Sequence, residues 1–194
     1  MILKNQIALP GKTGGAIIRP DDLKNYETRK TIALLGAFCL FLSTIEYMIP
    51  KPMPFMRIGI ANLPLMLALD IFPLNAFLVL VSIKILGQAL ITGTLFSYVF
   101  IFSLVGTLLS ALSMYGLRRL MGLSRISFIG VGTMGAMISN ISQLGMAWIF
   151  IFGNSVWYIT PIFLAAGIIT GIALGYFCEL FTRRSKWYKA RMAR

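Results

Sequence analysis

Residues 58–72 read Ile58-Gly-Ile-Ala-Asn-Leu-Pro-Leu-Met-Leu-Ala-Leu-Asp-Ile-Phe72, and whether they cross a bilayer sets the parity of the whole chain. A spanning helix needs about 20 mainly apolar residues. This run is shorter and is interrupted by Asn62, Pro64 and Asp70, so by itself it reads as a re-entrant hairpin or a short tilted helix. Around it lie five longer apolar stretches, approximately 31–49, 74–92, 96–117, 128–152 and 158–181. Charge placement decides the short one, because Lys and Arg near helix ends are retained on the cytoplasmic side. The N-terminal segment carries Lys4, Lys12, Arg19, Lys24, Arg29 and Lys30, and the C-terminal segment Arg183, Arg184, Lys186, Lys189, Arg191 and Arg194. Both termini are therefore expected inside. That requires an even number of crossings, so 58–72 counts as the sixth. Arg118, Arg119 and Arg125 then fall in an inside loop between the fourth and fifth helices. The expectation is an all-α polytopic membrane protein: a tail over 1–30, a six-helix transmembrane domain over 31–182 and a basic tail over 183–194, both tails cytoplasmic.

Composition supports this reading. Of 194 residues, 58% are hydrophobic and 12% charged, against roughly 25% charged in soluble domains, and the mean hydropathy is +0.83. With no histidine and six acidic residues, the chain lacks the material of most hydrolytic, metal-dependent and acid–base sites. No metal or cofactor is expected; a scaffold subunit of a membrane redox complex stays open as a third reading, with bis-histidine haem ligation within this chain excluded. The net charge of +12 sits in flanks and loops, where membrane topology accounts for it without nucleic acid. Cys39 and Cys178 lie in apolar runs and read as small buried hydrophobes. Residues 1–30 are mixed and polar, unlike a cleavable signal peptide, and read as weakly ordered. The first external loop, about 50–57, contains Pro50, Pro52 and Pro54, which make it stiff. A lid and a plain connector are equally open there.

Gly130, Gly132 and Gly135 match the dinucleotide fingerprint letter for letter, but no strand signal precedes them and no acidic ribose partner follows. They read as helix-packing positions, as do Gly167, Gly171 and Gly175 in the last apolar run, where small residues let backbones approach. Gly132, Ala136 and Asn140 continue the pattern, with Gly135, Ser139 and Gln143 on the adjoining face. Ala33 and Ala37, with Gly36 beside them, repeat it on the first helix, where an external partner is a second reading. Polar groups within the bilayer are costly and mark sites by default. Lys84 is mid-helix with Gln88 one turn on; Asn140 and Gln143 share a face; Asn62 opens the second helix and Arg57 enters at its external end. These six are the expected binding residues of one outward-facing cavity. The competing reading makes Asn and Gln helix staples and pairs Lys84 with Asp70 or Glu46. Glu46 is expected near the external end of its helix and Asp70 near the cytoplasmic surface, neither at the depth of Lys84. Lys84 then calls for a small anionic ligand.

The run Arg57-Ile-Gly-Ile-Ala-Asn62-Leu-Pro-Leu-Met-Leu-Ala-Leu69, Lys84-Ile-Leu-Gly-Gln88, and Ile129-Gly-Val-Gly132 through Asn140-Ile-Ser-Gln143-Leu resemble the bacterial Gx transporter family, or heptaprenyl diphosphate synthase component I, over about 31–181. Gly59-Ile-Ala-Asn62 is the strongest signature. That family is similar in six-helix layout to the substrate-binding S-components of energy-coupling factor transporters. The resemblance implies that Ala33 and Ala37 dock a coupling subunit that works with ATPases. The family name implies instead a separate prenyl synthase catalytic subunit. Chain-elongating prenyl diphosphate synthases hold magnesium through two aspartate-rich clusters, whereas this chain has the single pair Asp21-Asp22 and cannot perform that reaction alone. It also lacks the Gly-x-x-x-x-Gly-Lys-Ser/Thr nucleotide loop, so energy for transport would come from elsewhere. The expectation is a non-enzymatic substrate-binding component in the bacterial inner membrane, with an accessory role in polyprenyl or quinone synthesis as the alternative.

Overall fold

The computed structural model describes residues 20–50, 58–122 and 126–192, with side chains described for 26–50, 58–122 and 126–191. Arg57, Arg125 and the proline-rich loop over 51–57 lie outside the described residues, as do Lys4, Lys12, Arg19 and Arg194. Among the described residues every element is helical. Helix α1 spans Pro20–Met48, α2 Leu63–Ala68, α3 Leu74–Ile91, α4 Tyr98–Met121, α5 Phe128–Ala147, α6 Val156–Arg184 and α7 Lys186–Met192. A 3-10 turn, Ile60–Asn62, leads into α2, and a π turn, Trp148–Phe152, ends α5.

Four runs are long and apolar enough to cross a membrane: Tyr26–Met48, Leu74–Ile91, Tyr98–Met121 and Phe128–Arg184. The last contains two helices, because Gly153 at φ +50 turns the chain and α6 returns along α5. A Cβ on Gly132 would meet the Gly171 carbonyl oxygen at 2.8 Å, and one on Gly171 would meet Thr133 Cα at 2.6 Å. The Asn140 side chain reaches Phe163. Contacts that rise along α5 as they fall along α6 define an antiparallel pair, and glycine lets the backbones touch. Gly135 abuts Met114 and Ser110, and Gly106 abuts Ser139 and Gln143, so α4 and α5 are antiparallel too. The glycine stripes are therefore internal packing. Gly130, Gly132 and Gly135 all lie within α5, with no strand before them among the described residues.

Helices α1 and α3 pack in parallel, Gly36 against Ile83 and Leu40 against Gly87. The chain between them must return from the Glu46 end of α1 toward the opposite end. Residues 59–72 make that return. Gly59, in the left-handed region at φ +89, starts beside Glu46; Asp70 finishes beside Arg118, in the last turn of α4. At six residues α2 is about 9 Å long, well short of a hydrocarbon core of about 30 Å.

Hydropathy underestimated the helical extent at both chain ends. Helix α1 begins at Pro20 rather than 31, where a proline at the first position followed by Asp21 and Asp22 suits a helix start. The segment expected as a basic tail forms α7, which turns back at Ser185 and buries Tyr188. Arg191 pairs with Glu27 at 2.8 Å, so the two outermost described segments meet at one end of the molecule. The outer surface is apolar: Phe96, Leu120, Tyr158, Ile169 and Leu90 are among many exposed large side chains, while Lys84, Gln88, Asn140 and Gln143 are buried. That inverted polarity is the signature of a chain solvated by lipid.

Candidate functional site

Local sequence explains how the buried polar groups meet. Gly59 takes a left-handed conformation that a side chain would strain, and turns the chain back against α1. The Glu46 carboxylate then accepts from the Gly59 N–H at 3.1 Å and the Ala61 N–H at 3.2 Å. Ala61 is small and 1% exposed, which admits this approach. Asn62 follows one turn on, and its side-chain oxygen accepts a hydrogen bond from Lys84 Nζ. The Gly59-Ile-Ala-Asn62 signature thus has a geometric meaning: it is the corner that joins α1 to α3 through a carboxylate and an amide.

Two adjoining cavities share Gly59, Asn62 and Ser139. One, of about 10 Å³, is lined by Glu46, Asn62, Lys84, Gln88, Thr107 and Ser139 among others. The second, of about 20 Å³, adds Met66, Met114, Gly132, Ala136 and Asn140. Each has space on the scale of one water. Three buried acceptors in this region have no hydrogen-bond partner among the described residues: Gln88 Oε1, Gln143 Oε1 and Ser110 Oγ. Buried amide oxygens left this way cost free energy unless a guest supplies donors.

Of the six expected binding residues, Asn62, Lys84 and Gln88 face one cavity and Asn140 the other. Gln143 lies beside them, its Nε2 donating to Ser139 Oγ at 3.0 Å. Arg57 lies outside the described residues. Asn140 also donates through Nδ2 to the Phe163 carbonyl oxygen at 2.6 Å, so it ties α5 to α6 while touching the cavity. Glu46 lies in the last turn of α1, near the helix end where it is expected, but its side chain is 1% exposed and lines the same cavity as Lys84, so the expectation that it lies out of reach of Lys84 needs correction. Sequence distance along α1 hides this, because the turn at Gly59 brings a second segment under the carboxylate. Ala33 and Ala37 are exposed, with Leu34 and Phe41 around them, while Gly36 between them is buried against α3.

A second polar cluster occupies the other end of α2. Arg118 grips Asp70 with both arms, Nε to Oδ1 and Nη2 to Oδ2, each at 2.8 Å. Its Nη1 donates to the Ile126 carbonyl oxygen at 2.5 Å, and its guanidinium lies 4.5 Å from the Phe128 ring centroid. Tyr188 Oη completes the group, donating to Asp70 Oδ2 at 2.9 Å. Burial, and after it the Asp70 charge, push the Tyr188 phenol well above its ordinary range. Sequence reasoning put Asp70 near the surface at little cost and Arg118 in a loop. Both side chains are instead buried, 2% and 7% exposed, in a bidentate pair. No grouping of His, Cys, Asp or Glu among the described residues is arranged to hold a metal ion.

Over residues 35–181 the sequence matches the heptaprenyl diphosphate synthase component I family. No curated protein and no solved structure matches the chain.

Proposed function

The chain belongs to the heptaprenyl diphosphate synthase component I family, and from that premise we propose that it is a non-catalytic membrane subunit that binds a small solute in the polar chamber around Lys84 and passes it across the bilayer. The observation that carries this reading is the burial of Glu46, Lys84, Gln88, Asn140 and Gln143 inside a helical bundle whose surface is apolar. Ionisable groups at membrane depth are expensive and mark solute or ion pathways. Lys84 anchors the solute, and the positive charge of Arg57 would favour an anionic group on it. Glu46 faces the cavity that Lys84 faces, which balances the charge. The unpartnered oxygens of Gln88 and Gln143 ask for hydrogen-bond donors. The favoured solute therefore carries N–H or O–H groups beside any anionic group.

The proposed topology has six crossings with both termini on the cytoplasmic face of the bacterial inner membrane. The parallel packing of α1 and α3 and the Glu27–Arg191 ion pair support it. Cysteines introduced at Ser124 and Ser185 should resist an impermeant thiol reagent in intact cells; labelling of either contradicts the topology. Energy would come from a coupling subunit with ATPases, docked on the exposed Ala33 and Ala37 face of α1.

The family's description favours a second reading, an accessory membrane component for a separate prenyl synthase catalytic subunit. An apolar groove of about 310 Å³ between α5 and α6, lined by Leu144, Trp148, Trp157 and Leu164 among others, has room for part of an isoprenoid chain. Native mass spectrometry of the full chain extracted from its own membrane separates the two. A retained polar solute supports the first reading. A retained polyprenyl lipid with no polar solute supports the second and overturns the first.

A further inference from the structure

We infer that α2 is a gate pinned at both ends and that α7 is the latch on its Asp70 end. All six residues of α2 are buried, and the helix fills the way from the Lys84 chamber to the Asp70 cluster. It is weakly held by its own backbone. Six residues close few intrahelical hydrogen bonds, and the Asn62 side chain, engaged with Lys84, does not cap it. Its position is set from outside: Glu46 holds the Gly59 and Ala61 amides at its start, and Arg118 with Tyr188 holds Asp70 just beyond its end. Gly59 on one side and Pro73 on the other separate it from α1 and α3, so it can shift without bending either.

The two holders of Asp70 differ. Arg118 belongs to α4 and is fixed independently by the Ile126 carbonyl and the Phe128 ring. Tyr188 belongs to α7, which is joined to α6 through the extended residue Ser185 and held elsewhere by Trp187, packed against the core, and by the Arg191–Glu27 ion pair. Lys186 and Lys189 face outward from it. Helix α7 can therefore leave as a unit, taking one hydrogen bond and the apolar cover from Asp70 and leaving α1 to α6 intact. Closed, it blocks the chamber from the Asp70 end. Undocked, it leaves Asp70 to Arg118 alone and loosens the hold on that end of α2. The passage of a solute rests on the reading above, but the latch itself is tested without one.

The chain carries its own reporters. Cys39, on α1, and Cys178, on α6, are both free and 0% exposed, and the Cys178 thiol points at the Leu63 carbonyl oxygen, 3.8 Å away at the first residue of α2. In the full chain in detergent, N-ethylmaleimide incorporation at each thiol is followed by mass spectrometry. Tyr188→Phe should accelerate Cys178 labelling about tenfold, the population change that loss of one hydrogen bond to a charged group brings, with Cys39 unchanged. Arg191→Gln, which loosens α7 without touching Asp70, should accelerate the same thiol by less. Unchanged Cys178 labelling in both variants, or equal acceleration of Cys39 and Cys178, overturns the latch. Neither outcome bears on solute retention.

Discussion

The Glu46–Asn62–Lys84 region and the Asp70–Arg118–Tyr188 region both bury charge against α2, yet they are finished differently. At the Asp70 end the carboxylate receives three hydrogen bonds and the guanidinium spends its remaining arm on a backbone carbonyl. Beside Lys84 small cavities persist, and the amide oxygens of Gln88 and Gln143 have no hydrogen-bond partner among the described residues. A buried polar cluster that is closed on itself fixes a structure, whereas one left open leaves hydrogen-bonding capacity for a guest.

The comparison breaks most sharply on stability. Arg118→Met strands Asp70 as a buried, unpaired charge and should cost about 3–5 kcal/mol, read as a lowered unfolding midpoint in detergent. Lys84→Met leaves Glu46 with two backbone amides still donating to it, so its loss of stability should be clearly smaller. Equal losses would make the two clusters alike and the chamber structural. Next comes the α5–α6 seam, where Gly171→Leu forces a side chain against Thr133 and should cost about 1–3 kcal/mol or more by overpacking. A neutral result there contradicts the close backbone approach. Asn140→Leu removes the hydrogen bond to the Phe163 carbonyl and should cost about 1–3 kcal/mol. A neutral outcome would leave Asn140 with its cavity role alone.

The smallest effect concerns pH. Tyr188 faces Asp70, Arg118 and the Cys178 thiol, and its phenol is raised above the ordinary value by burial first and Asp70 second. The folded chain holds that proton more tightly than the unfolded chain. Its contribution is therefore fully present below pH ~10 and is lost as pH climbs beyond it. Wild type should lose stability above that pH faster than Tyr188→Phe, and superimposable alkaline profiles would remove Tyr188 from the cluster.

Apolar length and glycine spacing made the long helices and their internal seams legible, because lipid-facing helices need both. The folded ends were not. Asp70 meets partners 48 and 118 positions away in sequence, Arg118 and Tyr188, and no local pattern encodes such a meeting. Hydropathy also stops where Lys and Arg begin, so α7, whose charged residues flank the buried Tyr188, resembled a tail. Lys84, Asn62 and Gln88 were legible as candidates because each is a polar group in an apolar run. Glu46 was visible too but assigned by its distance along α1, which says nothing of what the turn at Gly59 brings beneath it.

Whether the Lys84 chamber holds a solute is read most directly from solute occupancy, by native mass spectrometry, in wild type and Lys84→Met purified identically from the same membranes. A small polar adduct should be present on wild type and lost from Lys84→Met while the variant remains folded. An adduct of equal occupancy on both proteins, or none on wild type, would contradict solute binding in the chamber.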